Sequence, residues 1–307
     1  MGHGRGSTRF RLDIAYDGSA FSGWAAQPEL RTVQGALEDA IRLVARELPD
    51  GPLLTVAGRT DAGVHATAQV AHLDLDALGV ENVRRRSSDE VSDILLRRVN
   101  GVLGRDSDVV LAAVAPAPEG FDARFSAISR SYEFRIADRR TPPNPIERHR
   151  TAVVPRELDA GLMQVAADKL IGLHDFAGFC RPRPNSTTIR TLQRFDWVRD
   201  EQGVVVAKLE ADAFCHSMVR SLVGMCAEVG AGRIRLSDVP SLLQATERSS
   251  AFPVLAAKGL TLTGVGYPAD AHLRERQAVT RAQRPALRLV EPLTSPAGIA
   301  DRSTSLD

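Results

Sequence analysis

The sequence predicts an α+β fold: two similar-sized subdomains whose strands are able to join into one sheet. Three observations lead there. Each half mixes period-2 strands with period-3.6 helices, in an order that suits antiparallel pairing. Thr141-Pro142-Pro143-Asn144-Pro145 is the strongest chain breaker and stands near the middle. No strand–helix unit carries a Gly-rich phosphate loop, which removes the usual nucleotide-cofactor folds.

The elements follow in order. Phe10, Leu12, Ile14 and Tyr16 alternate with polar or small residues, so a half-buried strand is expected, ended by Asp17-Gly18. Thr32 is placed to cap a helix with the apolar stripe Val33, Leu37, Ile41, Val44 and Leu48. Leu48-Pro49-Asp50-Gly51-Pro52 stops it. Leu53 to Val56 and Gln69 to Leu75 read as strands. A polar, Arg-rich stretch then leads to a helix over Ser92 to Leu103. Strands are expected at Val109–Val114 and Ser131–Ile136, with Tyr132, Phe134 and Ile136 on one face. Beyond the breaker come a helix over Glu157–Leu170, a polar loop over Arg181–Thr188, and strands at Ile189–Arg199 and Val204–Ala211. An apolar helix over Ser217–Val229 ends at Gly230-Ala231-Gly232; a short helix follows Ser237 and a last strand covers Leu260–Val265. The implied division is 8–140, 141–268 and a tail, 269–307, without a strong period, surface-hugging or disordered.

Composition narrows the class. With 307 residues, 43% apolar and 25% charged, the chain can bury a sizeable core. No apolar run approaches a membrane span and no signal peptide opens the chain, so a soluble, cytoplasmic protein is expected. Three cysteines, Cys180, Cys215 and Cys226, argue against a disulfide framework. His174 and His216 lie near two of them, but the spacings fit no zinc pattern, and no metal site is expected. Net charge is +1, yet 36 of the 39 basic residues are arginine. Arg84–Arg86, Arg139–Arg150 and Arg181–Arg194 are clusters able to meet a polyanion, or simply to face solvent.

The chemistry concentrates in AGRTDAGVHA, residues 57–66. Asp61 follows a strand in a loop that Gly58 and Gly63 free to turn, and Arg59 stands two residues away. Three chemistries compete. An aspartic hydrolase needs a second carboxylate; Asp17-Gly18-Ser19 is a conceivable partner for Asp61-Ala62-Gly63, but neither has the apolar-Asp-Thr/Ser-Gly form. A His-assisted hydrolase would use His65; a single carboxylate can act alone if a cation holds it charged.

The loop resembles the signature of the tRNA pseudouridine synthase A family, with Asp61 where that family has its catalytic aspartate. Further stretches resemble the same family over Arg9 to Tyr267. They are Tyr16–Trp24, Thr32–Glu38, Phe121–Ala127 leading to Arg130–Phe134, His174–Phe176, Phe214–Arg220 and Lys258–Leu262. Departures fall at Ala25-Ala26, where the family has glutamine after Gly-Trp, at Ser221 in place of a common asparagine, and before Gly259.

The resemblance implies a continuous, mainly antiparallel sheet with helices packed on it and a cleft between the subdomains. It implies isomerisation of uridine to pseudouridine in the tRNA anticodon stem-loop, at positions 38, 39 and 40, without cofactor or metal. Asp61 would be the essential carboxylate, Arg220 its charge partner, Tyr132 the face on which uracil stacks and a group able to serve the later proton removal from C5, and Arg59 the residue that helps extrude the base or fills the space it leaves. The protein would be a homodimer whose basic loops contact tRNA phosphates. The rivals are a non-enzymatic tRNA-binding protein, which has no need of Asp61, and the aspartic hydrolase.

Overall fold

The structure, a computed structural model, describes residues 7–46, 48, 51–181 and 187–281. The expected opening tail before Ser7, part of the breaker after Leu48, the middle of the Arg181–Thr188 loop and the end of the C-terminal tail lie outside the described residues.

The strands are β1 (Thr8–Tyr16), β2 (Leu54–Val56), β3 (His65–Leu75), β4 (Val109–Pro116), β5 (Ser129–Ala137), β6 (Ala152–Val153), β7 (Gly172–Asp175), β8 (Ile189–Arg199), β9 (Val205–Ala211) and β10 (Leu260–Gly266). The helices are α1 (Val33–Ala45), α2 (Ala77–Arg84), α3 (Val91–Leu103), α4 (Ala160–Asp168), α5 (Met218–Gly230), α6 (Val239–Leu243) and α7 (Leu273–Arg281). One sheet runs β4-β1-β3-β10-β5-β9-β8-β7, with β2 and β6 attached to β3 and β5. Pairing is antiparallel except β10 on β3 and β6 on β5. No helix among the described residues is long and apolar enough to cross a membrane.

Period 2 in β1 translates directly into burial: Phe10, Leu12, Ile14 and Tyr16 all point into the core. Thr32 caps α1 by accepting from Gly35 N at 3.2 Å. Four elements escape the sequence pattern, among them the two-residue β6, which only its pairing with β5 defines. Charge hides α2, where Asp76 accepts from Gly79 N at 2.7 Å and Val83 is buried. Strand β7 is short and gets its identity from β8 beside it. In the tail, α7 forms because Leu273 buries beside Phe121 and Ala123 and Arg274 pairs with Glu119.

Two large hydrophobic cores lie along the sheet, with a smaller cluster of Ala57, Val70, Phe121, Ala123 and Leu273 beside them. One joins β1, β3 and β4 to α1 and α3; the other joins β5, β8 and β9 to α4 and α5. Strand β10 supplies Leu262 to the first and Leu260 to the second, and Tyr132 packs against both. The chain thus inserts its last strand at the seam, and the site lies there.

Two cysteines correct the sequence reading. Cys180 and Cys215 are joined by a disulfide, with Cα atoms 5.9 Å apart. A cysteine count carries no information on which residues the sheet makes neighbours; the turn after β7 and the loop after β9 meet here. Cys226 is free and buried, and burial pushes its thiol pKa up.

Asp138, just past β5, is fully buried and receives Arg199 Nη2 at 2.7 Å, Arg199 Nη1 at 3.0 Å, Leu158 N at 3.0 Å and Thr141 Oγ1 at 2.9 Å. Burial disfavours the carboxylate, but these donors outweigh it and hold its pKa at about 2, below the ordinary 3.8. A depressed folded-state pKa adds stability above the unfolded value, lost as pH falls through the folded one. With allowance for solvent at the quarter-exposed Arg199, the site is expected to give up about 1–2 kcal/mol between pH 3.8 and about 2. Denaturant titrations across that window should show a shallower acid loss in Asp138→Asn than in wild type; equal slopes would remove Asp138 from acid unfolding.

Candidate active site

The Asp61 loop spans β2 to β3, and main-chain bonds anchor it. Ala57 N donates to Val70 O at 2.8 Å, Trp24 N to Thr60 O at 3.0 Å, and Val64 N to Asp61 O at 3.2 Å. Gly63, at φ 76°, makes the turn that a side chain would strain. Behind the loop, buried Tyr16 shares a 2.8 Å hydrogen bond with Thr60 Oγ1, and Gln69 Nε2 donates to Tyr16 Oη and to Gly58 O. Burial pushes the Tyr16 phenol to about 12, so it stays protonated in this network. Arg130, on β5, donates to Ala57 O at 2.9 Å, Asp212 O at 2.7 Å and Arg124 O at 3.3 Å, tying three segments together.

These segments surround a cleft of about 1030 Å³. Asp61, Tyr132, Arg59 and Arg220 all line it, brought from the β2–β3 loop, β5 and the first turn of α5. Arg59 is exposed at its edge and makes no ion pair or hydrogen bond among the described residues. Tyr132 meets Phe214 edge to face at 5.2 Å between ring centres. Burial raises the Tyr132 pKa, Tyr16 and the Asp61 charge add to this, and Arg130 opposes it. The side chain is therefore a neutral phenol at ordinary pH.

Arg220 does not make the expected direct pair. Its Nε donates to Leu255 O at 2.6 Å. Burial lowers its pKa while the Asp61 charge works the other way, so the two interact through space. Within ion-pair reach of Asp61 stands His216, whose Nε2 is 3.4 Å from Oδ1. His216 lies in the sequence motif Phe214–Arg220, where no role attaches to it; no spacing rule connects positions 61 and 216, and the contact exists only once the loops after β2 and β9 meet.

The other sequence candidates go elsewhere. His65 accepts from Gly18 N at 3.0 Å and lies against the carbonyls of His149 and Lys258 at 3.0 and 3.2 Å, a packing role. Asp17 caps Ser19 N at 2.9 Å and is not part of the cleft lining, so no dyad forms with Asp61. Several clustered arginines are engaged by acids: Arg140 by Glu157, Arg150 by Glu147, Arg194 by Asp196. Among the described residues, the arginines lining the cleft are Arg59, Arg124, Arg130, Arg190, Arg220 and Arg276.

A family model described as tRNA pseudouridine synthase matches residues 166–268. A tRNA pseudouridine synthase A from Leifsonia xyli subsp. xyli is 55% identical over 282 residues, 91% of this chain and 98% of that one. Proteins of the same name from Frankia casuarinae and Corynebacterium glutamicum are 52% and 49% identical, over 91% and 90% of this chain and 96% and 95% of theirs. Identity of this extent, across both halves of the sheet and the cleft between them, means that the chain belongs to the tRNA pseudouridine synthase A family and is an isomerase.

Proposed function

We propose that this enzyme isomerises uridine to pseudouridine at positions 38, 39 and 40 of the tRNA anticodon stem-loop, with Asp61 as its catalytic carboxylate. The observation that carries the reading is the convergence of Asp61, Tyr132, Arg59 and Arg220 on one arginine-lined cleft.

A uridine in a stem must leave the stack to be reached, at a cost of a few kcal/mol. Stacking on the Tyr132 ring returns about 1–3 kcal/mol, and Arg59, unengaged at the mouth, enters the space left behind. Arg124, Arg190 and Arg276 meet phosphates, which positions the RNA without reading its sequence. Asp61 then acts at the sugar, by attack at C1′ or by taking a sugar proton. The C1′–N1 bond breaks, the uracil turns, and C5 bonds to C1′; the C5 proton leaves and N1 gains one, so no atom is lost. Arg220 lends its positive field to Asp61. The protein works as a cytoplasmic homodimer on which one tRNA spans both subunits.

Tyr132 enters as a phenol rather than a phenolate, which favours stacking and hydrogen bonding over removal of the C5 proton by the free anion. The test is to map pseudouridine in a tRNA transcript treated with wild type and with Tyr132→Phe. Product at 38–40 is expected with wild type. Tyr132→Phe, which keeps the ring, should bind tRNA nearly as well and turn over about 10²-fold more slowly. Product confined to other positions would overturn the stem-loop reading, and equal rates would remove the hydroxyl from the chemistry.

A further inference from the structure

We infer that His216 is a positioning residue for Asp61, holding the carboxylate in the orientation the reaction uses. The inference rests on Asp61 being the catalytic carboxylate. Among the described residues His216 is the one within ion-pair distance of Asp61, its Nε2 standing 3.4 Å from Oδ1. The two side chains are 18% and 31% exposed, so their attraction is less screened than on an open surface.

Both ends of the contact are held by main chain. His216 O accepts from Arg181 N at 3.0 Å. Cys215, the residue before it, is bonded to Cys180, and its sulfur also sits 3.7 Å from that of Met218. Ser217, the residue after it, is left-handed, with φ 64°. A non-glycine residue rarely adopts that conformation, because its Cβ crowds the following carbonyl oxygen. Here it turns the chain sharply between the loop and α5, so His216 stays outside the helix on the Asp61 side while Arg220 goes into the first turn. Opposite, the Asp61 loop is fixed through Thr60, Ala57 and Val64. A contact between two anchored loops can define a carboxylate's direction; a long side chain such as Arg220, turned to Leu255 O, supplies field without that contact.

The experiment compares His216→Leu, His216→Gln and Asp61→Ala by single-turnover pseudouridine formation at saturating tRNA, with tRNA affinity and thermal midpoint measured on each. Misplacing a reacting group by about 1 Å costs about 10²-fold, and His216→Leu should lose about that in rate while tRNA affinity stays within about threefold. Glutamine places an N–H donor near the imidazole Nε2, so His216→Gln should regain about tenfold or more of the loss. A loop that merely needed filling would not distinguish leucine from glutamine in this way. Wild-type rate in His216→Leu, or equal losses in both variants, overturns the inference. Should His216→Leu fail to fold, His216→Gln decides alone: a rate within about tenfold of wild type supports the inference and a loss of about 10²-fold overturns it. An active Asp61→Ala instead sinks the reading of Asp61 itself, a separate and recognisable failure.

Discussion

Asp61→Ala should eliminate pseudouridine formation, with a loss of at least about 10³-fold, while tRNA binding stays within about threefold of wild type. The two halves of that expectation have different physical origins. On the proposed mechanism, rate depends on a carboxylate at the sugar, and the second acid of the cleft lining, Asp212, is committed to the main chain: its Oδ1 accepts from Thr191 N at 3.0 Å and from Ala213 N at 2.8 Å. On the same proposal, affinity comes from arginines meeting phosphates, and removing a negative charge from a site for a polyanion does not weaken that attraction. Nor should the fold suffer. The loop is held through the backbone of Ala57, Thr60 and Val64, and the Asp61 side chain has His216 as its ion partner rather than a structural hydrogen bond. Filter binding with labelled tRNA, run beside pseudouridine quantitation, separates the terms. Full activity in the variant would end the role assigned to Asp61; an equal fall in affinity would make it a binding residue.

Gly224→Ala should destabilise the protein by about 2 kcal/mol, although the same change in a helix ordinarily stabilises by about 0.5–1 kcal/mol. Gly224 lies in the buried middle of α5, where a Cβ would stand 1.9 Å from Pro253 O, a main-chain atom without a flexible end to move aside. Overpacking therefore exceeds the entropic gain. The segment that must shift includes Leu255, whose carbonyl holds Arg220 Nε at 2.6 Å and whose N–H donates to Arg220 O at 3.3 Å, so activity should fall too. Gly101 in α3 is the counterpart: it is exposed, an added methyl would meet no atom within 4 Å beyond its chain neighbours and the helix's own backbone, and Gly101→Ala should raise stability by about 0.5–1 kcal/mol. Thermal midpoints, at about 2–4 °C per kcal/mol, read both. Opposite signs are the expected result; a stabilised Gly224→Ala would mean that the Pro253 segment is free to move.

How much of this was legible in the chain follows from the range of each interaction. The alternation Phe10-Leu12-Ile14-Tyr16 and the stripe of α1 are local patterns, and burial follows them because each element needs only to know which face is apolar. Weakly patterned pieces carry no such local signal, for the same reason. Strand β7 is defined by β8, and α7 by Leu273 finding Phe121 and Ala123, far back in the chain. At the site, Asp61 of the AGRTDAGVHA loop and Tyr132 of the Arg-Ser-Tyr stretch at 130–132 line the same cleft.

The amino-acid sequence by itself thus determined the class of fold, the succession of most strands and helices, the family, and the four side chains that share the cleft. Tertiary structure alone decided who touches whom: His216 rather than Arg220 against Asp61, Arg130 bridging three carbonyls, and Cys180 bonded to Cys215. The physical reason is that periodicity and local motifs encode backbone conformation and facing. Ion pairs, buried hydrogen bonds and disulfides act over a few ångströms, between loops that only the sheet, closed at its seam by β10, brings together.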